Sequence, residues 1–489
     1  VPALLEEAHV KRRLLICVPL ALAVLAWVAP SVGATPSSSP GLPTTPPIPS
    51  PQPNLFGRMF PDLPGLTSQT SQDLADLASS MQDPNVTDPN PGSHDNDFVP
   101  SGDTYFGQFV DHDLTLDGSP SPTEPENVVG EPNGRTFRFD LDSVYGKGPF
   151  GDPQLYAADH KHFLVQNPNP NGVRDLPRNT DGSAILVEHR NDENEVISQI
   201  HTAFLLFHNR LVDEGMPFAL ARLTTIQYYQ WIVLHDFLPT IVGQDVVDGF
   251  MPGCSPCLPR FYDPGNPATP MTPLEFSVAA YRFGHSMVRR AYELTTTSGK
   301  IQVFSFTQPD LRGGRNLPAG RQIDWGNFVD ALERSANVAH FNHSRDVDAL
   351  ISSSLFQLPI PPAEATGSNV LAFRNMIRAK FYGLPSGQDV ATAMGISPIP
   401  PSHLGLASPA FDDGTPLWYY VLAESGIAGG KKLGPVGARI VADIFIRLLE
   451  GDGGGILRTH FSPSAPIAPA PGQFGLADLL VFAGVATRP

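Results

Sequence analysis

The stretch Glu195 to Asp213, EVISQIHTAFLLFHNRLVD, constrains this chain more than any other. Ile197, Ile200, Phe204, Phe207 and Leu211 recur every three or four residues, the spacing of one apolar helix face that has to be covered. The same reading predicts helices over Leu66–Met81, Asp103–Leu116, Thr225–Gly243, Leu274–Tyr292, Trp325–Ala339, Val370–Phe381 and Val436–Glu450. Strand signals are sparse, Ile301 to Phe306 being the best. Pro (52) and Gly (44) are both abundant, so long loops such as Asn167–Asp181 separate the helices. The expected class is mostly α, with heavy loop content and few short strands.

The 489 residues divide by composition. Lys11-Arg12-Arg13, the apolar run LLICVPLALAVLAWV (Leu14–Val28) and the small residues up to Ala34 read as a secretory signal peptide over 1–34. The run is short for a membrane span, which needs about 20 apolar residues. Residues 35–53, TPSSSPGLPTTPPIPSPQP, read as a stiff Pro/Ser/Thr-rich linker. From residue 54 to 489 no second linker and no internal repeat interrupts the chain, so one large domain is expected. The net charge of −17 speaks against nucleic acid and anionic membrane surfaces as partners. In an exported chain, Cys254 and Cys257 of MPGCSPCLP are expected to form a local disulfide, since no nearby Cys or His completes a zinc site.

Four short stretches carry chemistry-bearing residues. FGQFVDHDLTLD (Phe106–Asp117) sets Gln108, Asp111, His112 and Asp113 close together; on a helix Gln108 and His112 share a face while Asp113 points elsewhere. By itself such a stretch is more often a polar helix face with one histidine. TFRFDLD places Thr136, Asp140 and Asp142 at even spacing, which suits a hard cation or a solvated acidic loop. HRNDEN puts Arg190 and Glu193 ahead of the strongest helix, where acids also complement the helix dipole. YRFGH sets His285 after Gly284, a glycine suggesting that something bulky approaches the backbone. His201 and His208 read as packed core rather than ligands.

The order of these stretches resembles the animal-type haem peroxidase family, also called the peroxidase–cyclooxygenase superfamily, whose members include myeloperoxidase, lactoperoxidase and secreted bacterial relatives. GQFVDHDLT is similar to its distal-helix motif, TFRFDLDSVYG to its calcium loop, and RNDEN with IHTAFLLFHNRL to its distal-arginine segment. YRFGH is similar to its proximal-histidine motif, NMIRAKFYGLP to the segment after it, and FGRMFPDLP to the bacterial branch. The resemblance runs from about Leu55 to Pro489. It implies a large helical peroxidase domain that reduces hydrogen peroxide and oxidises a small donor such as a halide, thiocyanate or phenol.

It also implies roles. His285 is the expected axial ligand of haem iron, and Asn375 the acceptor of its other ring N–H. Arg282 and Arg378 are expected near the propionates. His112 is the expected acid–base, Gln108 its neighbour and Arg190 the charge-stabilising cation. Asp111 and Glu193 match the carboxylates that members esterify to haem; Asp113, Thr136, Asp140, Asp142 and the Arg138 carbonyl match the calcium site. Two departures matter. Asn194 stands where myeloperoxidase has a haem-bonded methionine. Arg282 stands where cyclooxygenases and fatty-acid dioxygenases have a radical tyrosine, and on a continuous helix Tyr281 points about 100° away. A lipid dioxygenase and a non-catalytic adhesive module are the alternatives.

Overall fold

The computed structural model describes residues 54–84, 94–118, 125–167, 173–305, 309–332, 341–359 and 369–488. The expected signal peptide and linker lie outside them. The described residues belong to one compact unit, Pro51–Pro489. It is mostly helical, with seven α-helices of ten residues or more among the described residues: α1 (Ser71–Ser80), α2 (Ser101–Leu114), α3 (Glu195–Asp213), α4 (Phe218–Ile232), α5 (Leu371–Phe381), α6 (Leu417–Ile427) and α7 (Pro435–Gly451). Shorter helices and turns and three two-stranded sheets make up the rest of the described secondary structure. The sheets pair Phe56–Gly57 with Thr272–Pro273 in parallel, and Asp95–Pro100 with His343–Arg345 and Ala291–Glu293 with Lys300–Gln302 antiparallel. No described helix is long and apolar enough to cross a membrane.

Local chemistry sets the helix ends. α1 begins at Ser71, later than the apolar spacing predicts, because Thr70 and Asp73 form a reciprocal capping box there. α3 has its expected bounds: the Asn194 side chain accepts from the N–H groups of Val196 and Ile197 at 3.1 and 2.9 Å. α2 packs on α3 through Phe109 and Phe204, stacked at 4.6 Å, with Tyr229 of α4 edge-on to both. Each such ring, fully buried, contributes roughly 1.5–3 kcal/mol. The aligned stretch over 225–243 starts earlier than expected, at Phe218, and widens to a π-turn over Val233–Phe237 before Leu238–Val242.

The predicted helix over Leu274–Tyr292 is not continuous. A π-turn at Glu275–Ala279 gives way to a 3-10 turn at Ala280–Phe283, one α-turn at Gly284–Met287, and then a strand. Ala279 carries the break, at φ −127° and ψ −79°. Tertiary bonds override the local periodicity here: Glu275 is buried and accepts from the backbone N–H groups of Met59 and Phe60 at 2.9 and 3.1 Å. Of the expected helix over 325–339, the described part, 325–332, holds a 3-10 turn at Trp325–Asn327, and residues 333–340 lie outside the described set. The expected strand over 301–306 shortens to Lys300–Gln302. Cys254 and Cys257 are bonded to each other.

Candidate active site

A cavity of about 730 Å³ opens against α2, the turn ahead of α3, the broken segment and α5, within the usual range for a small-molecule or cofactor site. Gln108, Asp111 and His112 reach it from α2, and Arg190 and Glu193 from the turn. Arg282, His285, Asn375 and Arg378 line it too. The site is therefore assembled from segments some 270 positions apart in the chain.

The local folding explains each placement. Gly107 lets Phe237 close on α2; a Cβ there would stand 2.9 Å from the Phe237 ring. Just past the break at Ala279, Tyr281, Arg282 and His285 all line the cavity. Tyr281, expected to point about 100° away from the Arg282 direction, lines the cavity as well, and its hydroxyl donates to the Gly107 carbonyl at 3.2 Å. Apart from its chain neighbours and its own helix turn, nothing lies within 4 Å of where a Gly284 Cβ would stand, and Gly284 also lines the cavity.

His112 is buried, and burial together with the Arg190 charge holds its ring down to about 3. It is neutral at pH 7. Its Nδ1 lies 2.9 Å from Asn191 Oδ1. Arg190 is aimed by Glu188, which accepts from its Nε and Nη2 at 2.9 Å each and from Arg135 at 3.0 and 2.7 Å. Burial would raise the Glu188 carboxyl, but the two guanidiniums outweigh it and set it at about 2. Glu193 goes the other way, pushed up to about 7 by burial against the opposing Arg190 charge. Burial raises Asp111 as well. Gln108 bridges the group, donating to Glu193 and accepting from Asn194 Nδ2 at 3.3 Å.

Burial, then the Arg282 charge, hold His285 near 3, so this ring is neutral too. Asn375 contacts it, but not as expected: its Nδ2 stands 2.8 Å from His285 Nδ1, while its oxygen accepts from Arg282 Nη1 at 2.9 Å. A guanidinium has no acceptor to offer and claims the amide oxygen. For His285 Nε2 to ligate a metal, the amide has to turn so that its oxygen takes the Nδ1–H. Trp418 packs edge-on to His285 and donates to the Arg282 carbonyl at 3.1 Å. Arg378 pairs with Asp117 at 2.7 Å. Burial and the Arg378 charge lower Arg282 to about 10, the mark of two cations facing one space.

Behind α2 lies a second cluster. Carboxylate oxygens of Asp113, Asp140 and Asp142 come within 4.8 Å of one another. Asp113 accepts from the Ser143 hydroxyl at 2.8 Å and the Leu141 N–H at 3.2 Å. Thr136 donates to Asp140 at 2.8 Å through its hydroxyl and to Asp142 at 3.1 Å through its N–H. Arg138 meets the cluster through its guanidinium, 3.0 Å from Asp140. Burial and then the Asp140 charge raise Asp142 to about 7.

Sequence reasoning missed Glu188, Asn191 and Trp418. Asn191 stands inside the HRNDEN stretch, but its type carried no signal; its partners are 79 and ten positions away.

The chain is similar to several known proteins. The chain is 27% identical over 347 residues to chorion peroxidase of Drosophila melanogaster, covering 65% of this chain and 41% of that protein. It is 33% identical over 217 residues to a peroxidase-like protein of Margaritifera margaritifera, covering 40% and 26%. It thus spans less than half the length of these curated relatives. Among solved structures, Peroxidase A from Dictyostelium discoideum aligns with a TM-score of 0.57 at 18% identity, over 82% of this chain and 88% of that one. A fatty acid alpha-dioxygenase from Arabidopsis thaliana aligns at 0.56 and 16%, over 82% and 73%; both likenesses concern the fold. The family model described as animal haem peroxidase matches residues 99–401, which span α2, the turn, α3, the broken segment and α5, and on that match the chain belongs to the animal haem peroxidase family.

Proposed function

We propose that this chain is a haem-dependent peroxidase that reduces hydrogen peroxide and oxidises a small donor such as a halide, thiocyanate or phenol. The observation that carries the reading is the meeting, in one cavity, of a neutral His112 beside the cationic Arg190 and a second neutral imidazole, His285. The residues fit a haem. Beyond its chain neighbours and its own helix turn, nothing crowds Gly284 on its side of the cavity. Arg282 and Arg378 bring two guanidiniums to the same space, and these suit propionate carboxylates. Asp111 and Glu193, raised by burial, offer carboxyls for ester links.

His285 would bind the iron of the group, with Asn375 beside its Nδ1. The haem, when bound, supplies the redox-active iron that accepts the oxidising equivalents of peroxide and returns them to the donor. The protein's part is proton movement and charge. His112 takes a proton from one peroxide oxygen and delivers it to the other, which leaves as water; such acid–base work contributes roughly 10²–10⁴-fold. Arg190 keeps its charge throughout and stabilises the negative charge that grows as the O–O bond lengthens. Glu188 keeps the guanidinium aimed. Gln108 orders the polar wall between Glu193 and Asn194.

Asp113, Asp140 and Asp142, with Thr136 and the Arg138 carbonyl, are proposed as a calcium site. The raised Asp142 supports this, since a divalent cation would offset the burial and the Asp140 repulsion that raise it. Secretion is proposed from the 1–34 signal pattern and a folded domain from residue 54. Because Asn194 replaces the methionine, a sulfonium link to haem is absent from the proposal. If the ester links form, acidified organic solvent leaves the haem on the polypeptide; complete extraction excludes them.

A second reading has one observation in its favour. Tyr281 lines the cavity, so a fatty-acid dioxygenase on the same scaffold, like the fatty acid alpha-dioxygenase named above, has a tyrosine available. Arg282 still occupies the family's tyrosine position, which ranks this reading second. The test is an absorption spectrum of the purified protein, then donor oxidation with peroxide and, separately, oxygenation of a fatty acid with oxygen alone. Peroxide-dependent donor oxidation supports the first reading. Lipid oxygenation without peroxide, lost in Tyr281→Phe, replaces it with the second. A colourless protein inert in both assays leaves a non-catalytic module.

A further inference from the structure

We propose that Asn191 and His201 are positioning residues that fix which ring nitrogen of His112 carries its proton, leaving Nε2 free as the base; this rests on the peroxidase reading above. The three side chains form one buried line. His112 Nδ1 lies 2.9 Å from Asn191 Oδ1, and Asn191 Nδ2 lies 2.9 Å from His201 Nδ1. All three are buried.

An amide between two imidazole nitrogens must give its oxygen to one ring and its nitrogen to the other. Oxygen toward His112 requires a proton on that Nδ1, so the lone pair sits on Nε2. Nitrogen toward His201 requires a bare Nδ1 there, so His201 carries its proton on Nε2. The reverse orientation would protonate Nε2 of His112 and remove the base. The His201 tautomer thus selects the His112 tautomer through one amide.

The frame holding this line is closed. His201 lies on α3, and its ring packs edge-on to Phe109 of α2 at 6.1 Å. Phe109 sits one helical turn before His112 on the same helix. Asn191 is anchored in the turn ahead of α3, its N–H donating to the Glu188 carbonyl at 3.0 Å. When His112 Nε2 takes the peroxide proton, Nδ1–H stays bonded to the amide oxygen, which supports the imidazolium. No electron changes hands in this step; one N–H bond forms as one O–H bond breaks.

The test reads the tautomer directly. Two-bond ¹H–¹⁵N correlation spectra of histidine-labelled holoprotein are taken in the diamagnetic ferrous carbon monoxide form, with His112 assigned by its loss in His112→Gln. The expected wild-type pattern is Nδ1–H for His112 and Nε2–H for His201. Asn191→Leu is expected to mix the His112 tautomers and slow the peroxide reaction by roughly tenfold or more, within the span of acid–base effects, at unchanged haem content. Asn191→Asp, which keeps an acceptor for Nδ1–H, recovers most of that rate. His201→Phe, a change outside the cavity, also mixes the tautomers. A wild-type His112 carrying its proton on Nε2 overturns the proposal, as does an Asn191→Leu protein with unchanged tautomer and rate. The wild-type spectrum decides the tautomer even if a variant does not fold. A wild type inert to peroxide but with His112 as Nδ1–H sinks the peroxidase reading and leaves the tautomer assignment standing.

Discussion

His112 and Arg190 stand side by side with different charge states for two reasons. Burial and the guanidinium's charge both disfavour a protonated His112 ring, and Glu188, which holds Arg190 in place, offsets this only in part. Replacing His112 with Ala removes the only histidine on α2, so peroxide reduction is expected to fall by roughly 10²-fold or more while haem content holds. Stopped-flow mixing with peroxide measures this, and near-normal turnover would remove His112 from the mechanism. Glu188→Gln is expected to act differently. It leaves Arg135, buried beside it, and the partly buried Arg190 without their carboxylate. Breaking a buried pair from one side costs about 3–5 kcal/mol. Denaturant unfolding should show that loss, and a change within experimental error would mean the guanidiniums find other partners. The residues with a motif around them were legible in the sequence: His112, Arg190, Glu193 and His285 all reach the cavity. Their supports were not. Glu188 and Asn191 act across gaps of 53 and 79 positions, and nothing local marks a side chain whose purpose is to face another segment.

α2 is the element on which the two sites meet. One face carries Gln108, Asp111 and His112 into the cavity, and Asp113 enters the carboxylate cluster behind it. Arg135 adds a second connection, lying 3.8 Å from Asp142 while it binds Glu188. If the cluster holds the proposed calcium ion, its removal is expected to reach both His112 and Arg190. Chelation with proven loss of calcium should shift the haem absorption spectrum and slow the peroxide reaction; an unchanged spectrum counts against the coupling. Element legibility followed the source of each element's order. α3 carries its own cap and period, so its bounds could be read. The segment 274–292 has helical spacing, but Glu275 is tied to Met59 and Phe60 more than 200 positions away, and that tie breaks the helix. α6, LWYYVLAESGI, escaped notice for another reason. It is apolar nearly all round and buried along most of its length, so it has no amphipathic period to detect.

Across the whole molecule, composition foretold an acidic, loop-rich helical chain, but not how its interior handles charge. Burial raises the carboxyls of Glu275, Glu424 and Asp443 and lowers the rings of His201 and His208, to about 3 and about 4. The two sets drive stability in opposite directions with pH. Glu424 is pushed from 4.5 to about 7 by burial, against the N–H bonds of Val436 and Gly437. The folded chain holds that proton where the unfolded chain has released it, so its stabilisation is lost as pH rises from about 4.5 through about 7. Glu424→Gln cannot ionise. Relative to wild type it should gain on the order of 3 kcal/mol over that window, at roughly 1.4 kcal/mol per unit. His208 has the opposite sign. Its folded ring resists protonation, so below about 6.5 the unfolded chain takes up a proton that the fold refuses, and stability falls toward pH 4. His208→Gln loses the contacts to Tyr145 and the Lys161 carbonyl at every pH, but it escapes this decline. Urea titrations of the three proteins at pH 4.5, 6 and 7.5 measure both slopes. Glu424→Gln should gain on wild type toward pH 7.5 and His208→Gln toward pH 4.5. Parallel curves would mean that neither group is held away from its ordinary titration by the fold.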